Sequence, residues 1–279
     1  MTKTIKILCS KKLVIFIVTF SLYKKEYKPI IVGMRYFWTH TDKIPEGLGY
    51  GQFTKKHFIW IAIMAVFVAS IVFIYSHMDM QGRILLLRSI GATLIIIDII
   101  KLILIAASGG DVYEFLPLEL CSFASYSIVC DSIWIGNTIF PIMLLTLFMP
   151  AAFMAVLFPT TSTLPAVNFY TIHQFLYHGL IIAYVVAKFV CKEIPLDYPG
   201  VWKSIFYVIL LASVIFVIDK IFHKDFMFLV DDYNNPLLKV ITKVTGGGFA
   251  YTVGLVLFCI FMIQVFYILF KIINMLFLA

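Results

Sequence analysis

The sequence predicts an all-α polytopic membrane helical bundle with about seven transmembrane helices. Three observations carry this reading. Hydrophobic residues make up 62% of the 279-residue chain and charged residues only 13%, against roughly 45–50% and about 25% in ordinary soluble domains. Mean hydropathy is +1.00. Apolar runs of about the length needed to cross a bilayer recur along the chain, separated by short Gly- and Pro-marked loops. A water-soluble globule of this size could not cover so much apolar surface. A soluble enzyme, a nucleic-acid-binding domain and a disordered chain are thereby excluded.

The chain opens with a basic leader at 1–33, which holds seven lysines against one acid, Glu26. The formal charge of +7 is therefore +6 of leader and +1 of everything after it. In a membrane protein such charge reflects cytoplasmic loops before it reflects partners. The leader's single apolar run, Leu13 to Leu22, is too short for the roughly 20 residues of a spanning helix. It has the length of a signal-peptide core, but no clear small-x-small cleavage site follows. The plainer expectation is a mis-assigned start, with translation beginning at Met34.

A polar segment follows at 34–57, turn-rich through Pro45-Glu46-Gly47, Gly49 and Gly51. The membrane domain is expected over 58–274, with spans at about 58–75, 84–108, 116–134, 139–157, 167–188, 201–219 and 250–270. Gly109-Gly110, Gly136-Asn137, Pro159 to Pro165 and Pro195 to Gly200 mark the short loops. The long connection, about 220–249, reads as a polar loop ending in Gly246-Gly247-Gly248. Trp60, Trp134 and Trp202 fall at span ends, where an aromatic belt belongs. Basic residues after Met34 divide eight to six between the N-terminal side (side A) and the opposite side (side B). Only the leader's lysines would make side A clearly cytoplasmic. The five cysteines are scattered and none forms a CxxC, so neither a disulfide framework nor a zinc site is expected. No cofactor is implied, and no signal sets an oligomeric state.

Ionisable groups at membrane depth cost at least about 2.5–3.5 kcal/mol on insertion scales, so each asks for a reason. Asp98 and Lys101 are three residues apart on one helical face, an internal ion pair or part of a polar site. The third span opens with Glu119, Cys121 and Ser125, the last two sharing a face at i,i+4 spacing. A membrane cysteine is more often a packing residue than a nucleophile. The fifth span opens with His173, Gln174 and His178. The two histidines lie about 140° apart around a helix, a poor arrangement for joint metal ligation, whereas Gln174 and His178 share a face. A lone membrane histidine commonly satisfies a helix–helix hydrogen bond; two with a glutamine favour a site. At 1.5 Å per residue, Cys121 lies roughly 8 Å in from side A and His178 about 16 Å. His57 heads the first span on the same side, and the loop with Asp225 returns there.

Three classes of function remain open. A Cys121–His178 pair could attack an ester carbonyl, and in a bilayer the available ester is a lipid's. Such a protein would be a lipid ester hydrolase or an acyltransferase, with membrane lipid as partner. A carrier or channel would line a solute or proton path with Asp98, Glu119, His173 and His178. A structural or assembly protein would use the same residues only to lock helices together. GxSxG, HExxH, HxxxxD and P-loop motifs are all absent from the sequence, which removes the common routes to other hydrolases, metalloproteases, soluble-type acyltransferases and ATPases.

The stretches Ile44-Pro45-Glu46-Gly47-Leu48-Gly49, His57, Leu116-Pro117-Leu118-Glu119-Leu120-Cys121-Ser122, His178-Gly179 and Phe226-Met227-Phe228-Leu229 before Asn235-Pro236 occur in a telling order and spacing. In these, over about 34–270, the chain resembles the YwaF-like family of bacterial integral membrane proteins. That family is similar to a eukaryotic transmembrane ether-phospholipid acyltransferase. The resemblance implies a bacterial plasma membrane, Cys121 at the position of the nucleophile and His178 at that of the histidine. It also makes Met34 the natural start. Glu119 stands where relatives often carry histidine, and Asp225 where they often carry asparagine; both departures alter the charge of the implied site.

Overall fold

The computed structural model describes residues 34–40 and 43–278. The 1–33 leader lies outside the described residues. Among those described, 75% of the chain is helical and no strand occurs.

Eight principal helices form in chain order: α1 Lys55–His77, α2 Met80–Ala107, α3 Leu120–Ile133, α4 Ile139–Leu157, α5 Phe169–Val190, α6 Tyr198–Phe222, α7 Pro236–Thr245 and α8 Gly248–Ile273. Six are long and apolar enough to cross a membrane: α1, α2, α4, α5, α6 and α8. Side-chain caps start several of them. Thr54 accepts from the His57 amide, Asp79 from Gly82 and Asn168 from Tyr170, each satisfying an amide that has no partner within its helix.

The expected third span is shorter than its hydropathy suggested. Pro117 holds Leu116 in an extended conformation (φ −53°, ψ 144°), because the proline ring clashes with a helical residue before it. The helix therefore begins at Leu120 rather than at 116. Its 14 residues reach about 21 Å, short of a full hydrocarbon core of about 30 Å. This puts the first turn of α3, with Cys121, inside the bundle rather than at its surface.

The long connection after α6 also differs from expectation, since it folds the amphipathic helix α7. Asn235 caps it by accepting from the Leu237 and Leu238 amides, Pro236 occupies its first position, and left-handed Gly246 ends it. These are ordinary start and stop signals. The ten-residue segment is too polar on average to register as a span.

α4 and α5 form the centre. In their most apolar windows 67% and 72% of residues are buried, against 11% for α1. α4 is not a uniform helix: a π turn over Leu144–Phe148 separates Ile139–Met143 from Met149–Leu157. Pro150 cannot donate to the Thr146 carbonyl and its ring crowds that position, which opens the preceding turn. Toward side B the helices are tied by ionic groups, buried at Asp131 and Lys188 and half-buried at Arg83 and Glu193. Asp131 is bonded by Lys188, by Tyr184 at 2.7 Å and by Asn137 at 2.9 Å. Glu193 binds Arg83 at 3.0 Å and Tyr75 at 2.5 Å. These bonds link α1 and α2 to the turn after α5, and α3 to α5.

Candidate functional site

Cys121 and His178 are in direct contact. The sulfur in the first turn of α3 lies 3.1 Å from Nε2 of His178, midway along α5. The imidazole's other nitrogen, Nδ1, is 2.7 Å from the Gln174 carbonyl one turn earlier. A carbonyl can only accept, so Nδ1 carries the proton and Nε2 presents a lone pair to the thiol. The ring is held in the tautomer a general base requires. Beside it, Gly179 lets α1 approach closely: a Cβ there would stand 3.0 Å from Cγ of Met64.

A polar network fixes α3 against α5 and α2 and so sets this distance. The Tyr177 hydroxyl donates to Oδ2 of Asp98 at 3.0 Å, closes a short hydrogen bond with Ser125, and stands 3.4 Å from the Cys121 carbonyl. Lys101 Nζ pairs with Oδ1 of Asp98 at 2.9 Å, and His173 Nε2 lies 3.5 Å from the same oxygen. His173 also stacks on Tyr177, with ring centroids 5.2 Å apart. Asp98, Ser125 and His173 are thus engaged in a network behind the Cys–His pair. None of the three lines the cavity in front of it.

That cavity is an apolar chamber of about 230 Å³. Cys121 and His178 share its wall with Leu147, Met154, Leu255 and Met262. Gln174 lines it too, its side-chain amide donating to Ala155 at 3.0 Å on α4. Toward side A the chamber adjoins a polar vestibule of about 760 Å³. Glu119, Phe158, Thr160, Phe228 and Asn235 line both spaces, so Glu119 stands where they join. Its side chain makes no capping bond to α3.

The other two candidates lie elsewhere. His57 is fully buried at the head of α1, accepting from the Phe53 amide and binding the Val156 carbonyl at 2.9 Å. It anchors α1 to the end of α4 and does not line the chamber. Asp225 lines the vestibule but spends its carboxylate on the Leu229, Val230 and Asp231 amides at 2.7, 3.1 and 2.9 Å. Burial raises its pKa above the ordinary carboxylate value against the lowering effect of those three bonds. Its role is to shape the 226–231 loop whose Phe226, Met227, Phe228 and Leu229 line the chamber.

Sequence reasoning missed the α4 wall and the central part of Tyr177. Pro150 in mid-span was the available signal for the first. Tyr177 directly precedes His178, so it points to a different side of α5, toward α2 and α3. Among the described residues, no group of three His, Cys, Asp or Glu is placed to hold a metal ion.

No curated protein and no solved structure matches the chain significantly. A family model does, over residues 52–270, a range that takes in all the candidate residues named above and all six long spans in whole or large part. The chain is a multi-pass membrane protein that belongs to the TMEM164 family.

Proposed function

We propose that the protein is a membrane-embedded acyl-lipid hydrolase or acyltransferase that works through a Cys121–His178 pair. The observation that carries this reading is the 3.1 Å contact between sulfur and Nε2 at the wall of an apolar chamber. A structural cysteine has no need of a tautomer-fixed imidazole, nor either of them of an apolar cavity in front. The chamber suits an acyl chain, and the polar vestibule suits the headgroup attached to it.

His178 Nε2 takes the thiol proton as the sulfur attacks the ester carbonyl carbon. The resulting tetrahedral intermediate collapses with cleavage of the carbonyl carbon–oxygen bond. The imidazolium returns its proton to the departing alkoxide, leaving a thioester on Cys121. Water or a second lipid's hydroxyl then attacks the thioester carbonyl as His178 removes its proton; the carbon–sulfur bond breaks, releasing a fatty acid or an acylated lipid, and the imidazolium returns the proton to the Cys121 thiolate. The Gln174 carbonyl holds Nδ1–H throughout and stabilises the imidazolium. The resemblance to the YwaF-like family supports a bacterial plasma membrane as the setting.

The test is acylation of the full-length protein in nanodiscs by a p-nitrophenyl long-chain ester, read by intact mass and peptide mapping. One acyl group is expected on Cys121 in the wild type and none in Cys121→Ala. His178→Ala should slow acylation by about 10²–10⁴-fold, the usual contribution of a positioned base. Equal acylation of wild type and Cys121→Ala would overturn the proposal.

A further inference from the structure

The chamber's outer wall is a helix with two unlike faces. On the inner face of α7, Leu237 and Leu238 line the chamber, while Leu238 and Ile241 pack on the buried cluster that includes Tyr251 and Leu255. On the outer face Lys239, Val240, Lys243 and Val244 are all exposed, Val240 at 58% and Val244 at 81%. Each like pair is spaced i,i+4, so a lysine stripe runs beside a valine stripe.

Connectivity sets the helix at the membrane surface. The ends of α6 and α8 that flank it lie on one side of the bundle, and its ten residues reach only about 15 Å, half a bilayer core. A valine as exposed as Val244 gains nothing in water. At a lipid–water boundary the valine stripe enters the acyl region while lysine stems carry their ammonium groups up to phosphate level. The charge on that face matches an anionic headgroup layer. The joint to α8 is Gly246-Gly247-Gly248, with φ of 81°, 85° and 60°. Around each of the three there is open space where a Cβ would stand. Beyond this joint α7 packs on α8, where a Cβ at Gly254 would stand 2.6 Å from Cγ2 of Thr245 and 3.1 Å from Cγ2 of Ile241, so α7 is held between α8 and the surface its outer face meets.

We propose that α7 docks on the anionic headgroup layer of the bilayer that holds the protein, and that this docking sets the position of the chamber's Leu237–Leu238 wall. The inference is independent of any chemistry at Cys121.

Hydrogen exchange of the 236–245 amides tests it, using the full chain in nanodiscs of phosphatidylcholine alone or mixed with phosphatidylglycerol. Exchange should be slower with phosphatidylglycerol by up to about 30-fold, since each lysine gains about fivefold beside an anionic surface. The double variant Lys239→Gln, Lys243→Gln keeps good helix formers and should exchange equally in both membranes. Val240→Ser with Val244→Ser should exchange faster in both. α5 amides serve as the folding control. Equal exchange of the wild type in the two membranes, or a membrane difference that survives in the lysine variant, would overturn the proposal.

Discussion

Asp98→Asn is the substitution that best separates a site that holds the Cys–His pair from one that carries a solute. Asp98 and Lys101 side chains are only 8% and 12% exposed and meet at 2.9 Å. Removing one partner of a buried pair typically costs about 3–5 kcal/mol, because the remaining charge is left buried. Two features place this case at the lower end. The asparagine retains an oxygen for the Tyr177 hydroxyl, and the Glu119 carboxylate acts electrostatically on Lys101. A loss of about 3 kcal/mol is expected for Asp98→Asn and a similar one for Lys101→Met. The double variant removes both charges together and should cost less than the two losses summed by at least about 2 kcal/mol. Reversible unfolding in mixed micelles measures all three. Double-variant losses equal to the sum, within about 0.5 kcal/mol, would refute an energetic coupling between the two buried charges on α2. The same samples report on function. If Asp98 acts only by positioning, Asp98→Asn should acylate at Cys121 within about tenfold of the wild type, one 1.4 kcal/mol step. Loss of solute flux with acylation fully intact would instead favour a carrier.

Two further outcomes follow from the same geometry. Met154→Trp should fill part of the 230 Å³ chamber, slowing acylation by a sixteen-carbon (~C16) ester far more than by an acetyl ester under the overpacking penalty of a close-packed wall; equal slowing of both would show that the chain does not enter there. Outside the membrane, Lys224 lies 2.6 Å from Asp111 and holds its carboxyl below the ordinary range. A carboxylate with a depressed folded pKa contributes above its unfolded value, near 3.9, and the contribution is lost as pH falls through the folded pKa. The 109–115 segment should therefore keep its exchange protection from about pH 8 to pH 5 and lose it below about pH 4. In Asp111→Asn that acid step should vanish.

The spans were legible because each rests on one property, sustained apolarity, and glycine or proline follows closely after α2, α3 and α4. Where structure departs from that reading, a local steric rule outweighed hydropathy. Pro117 forbids a helical Leu116, so α3 starts four residues late, and Pro150 opens a π turn in a run that hydropathy treats as uniform. α7 was lost to averaging, since Lys239 and Lys243 offset five aliphatic residues although its Asn-Pro start and Gly stop stood in plain view. The ion pair of Asp98 and Lys101 was readable because three residues on a helix fix a geometry. The Cys–His contact was not, because 57 residues of separation fix none. It exists only through α3–α5 packing, and what sets that packing is Tyr177, a residue with no chemical signature of its own. His57 shows the converse. Its type and depth match those of a site histidine, yet Phe53 and Val156 consume both its nitrogens. A residue's chemistry in a bilayer is therefore decided by which of its polar atoms the packing leaves uncommitted. Among His57, His173 and His178, His178 is the one whose ring reaches both a thiol and a cavity.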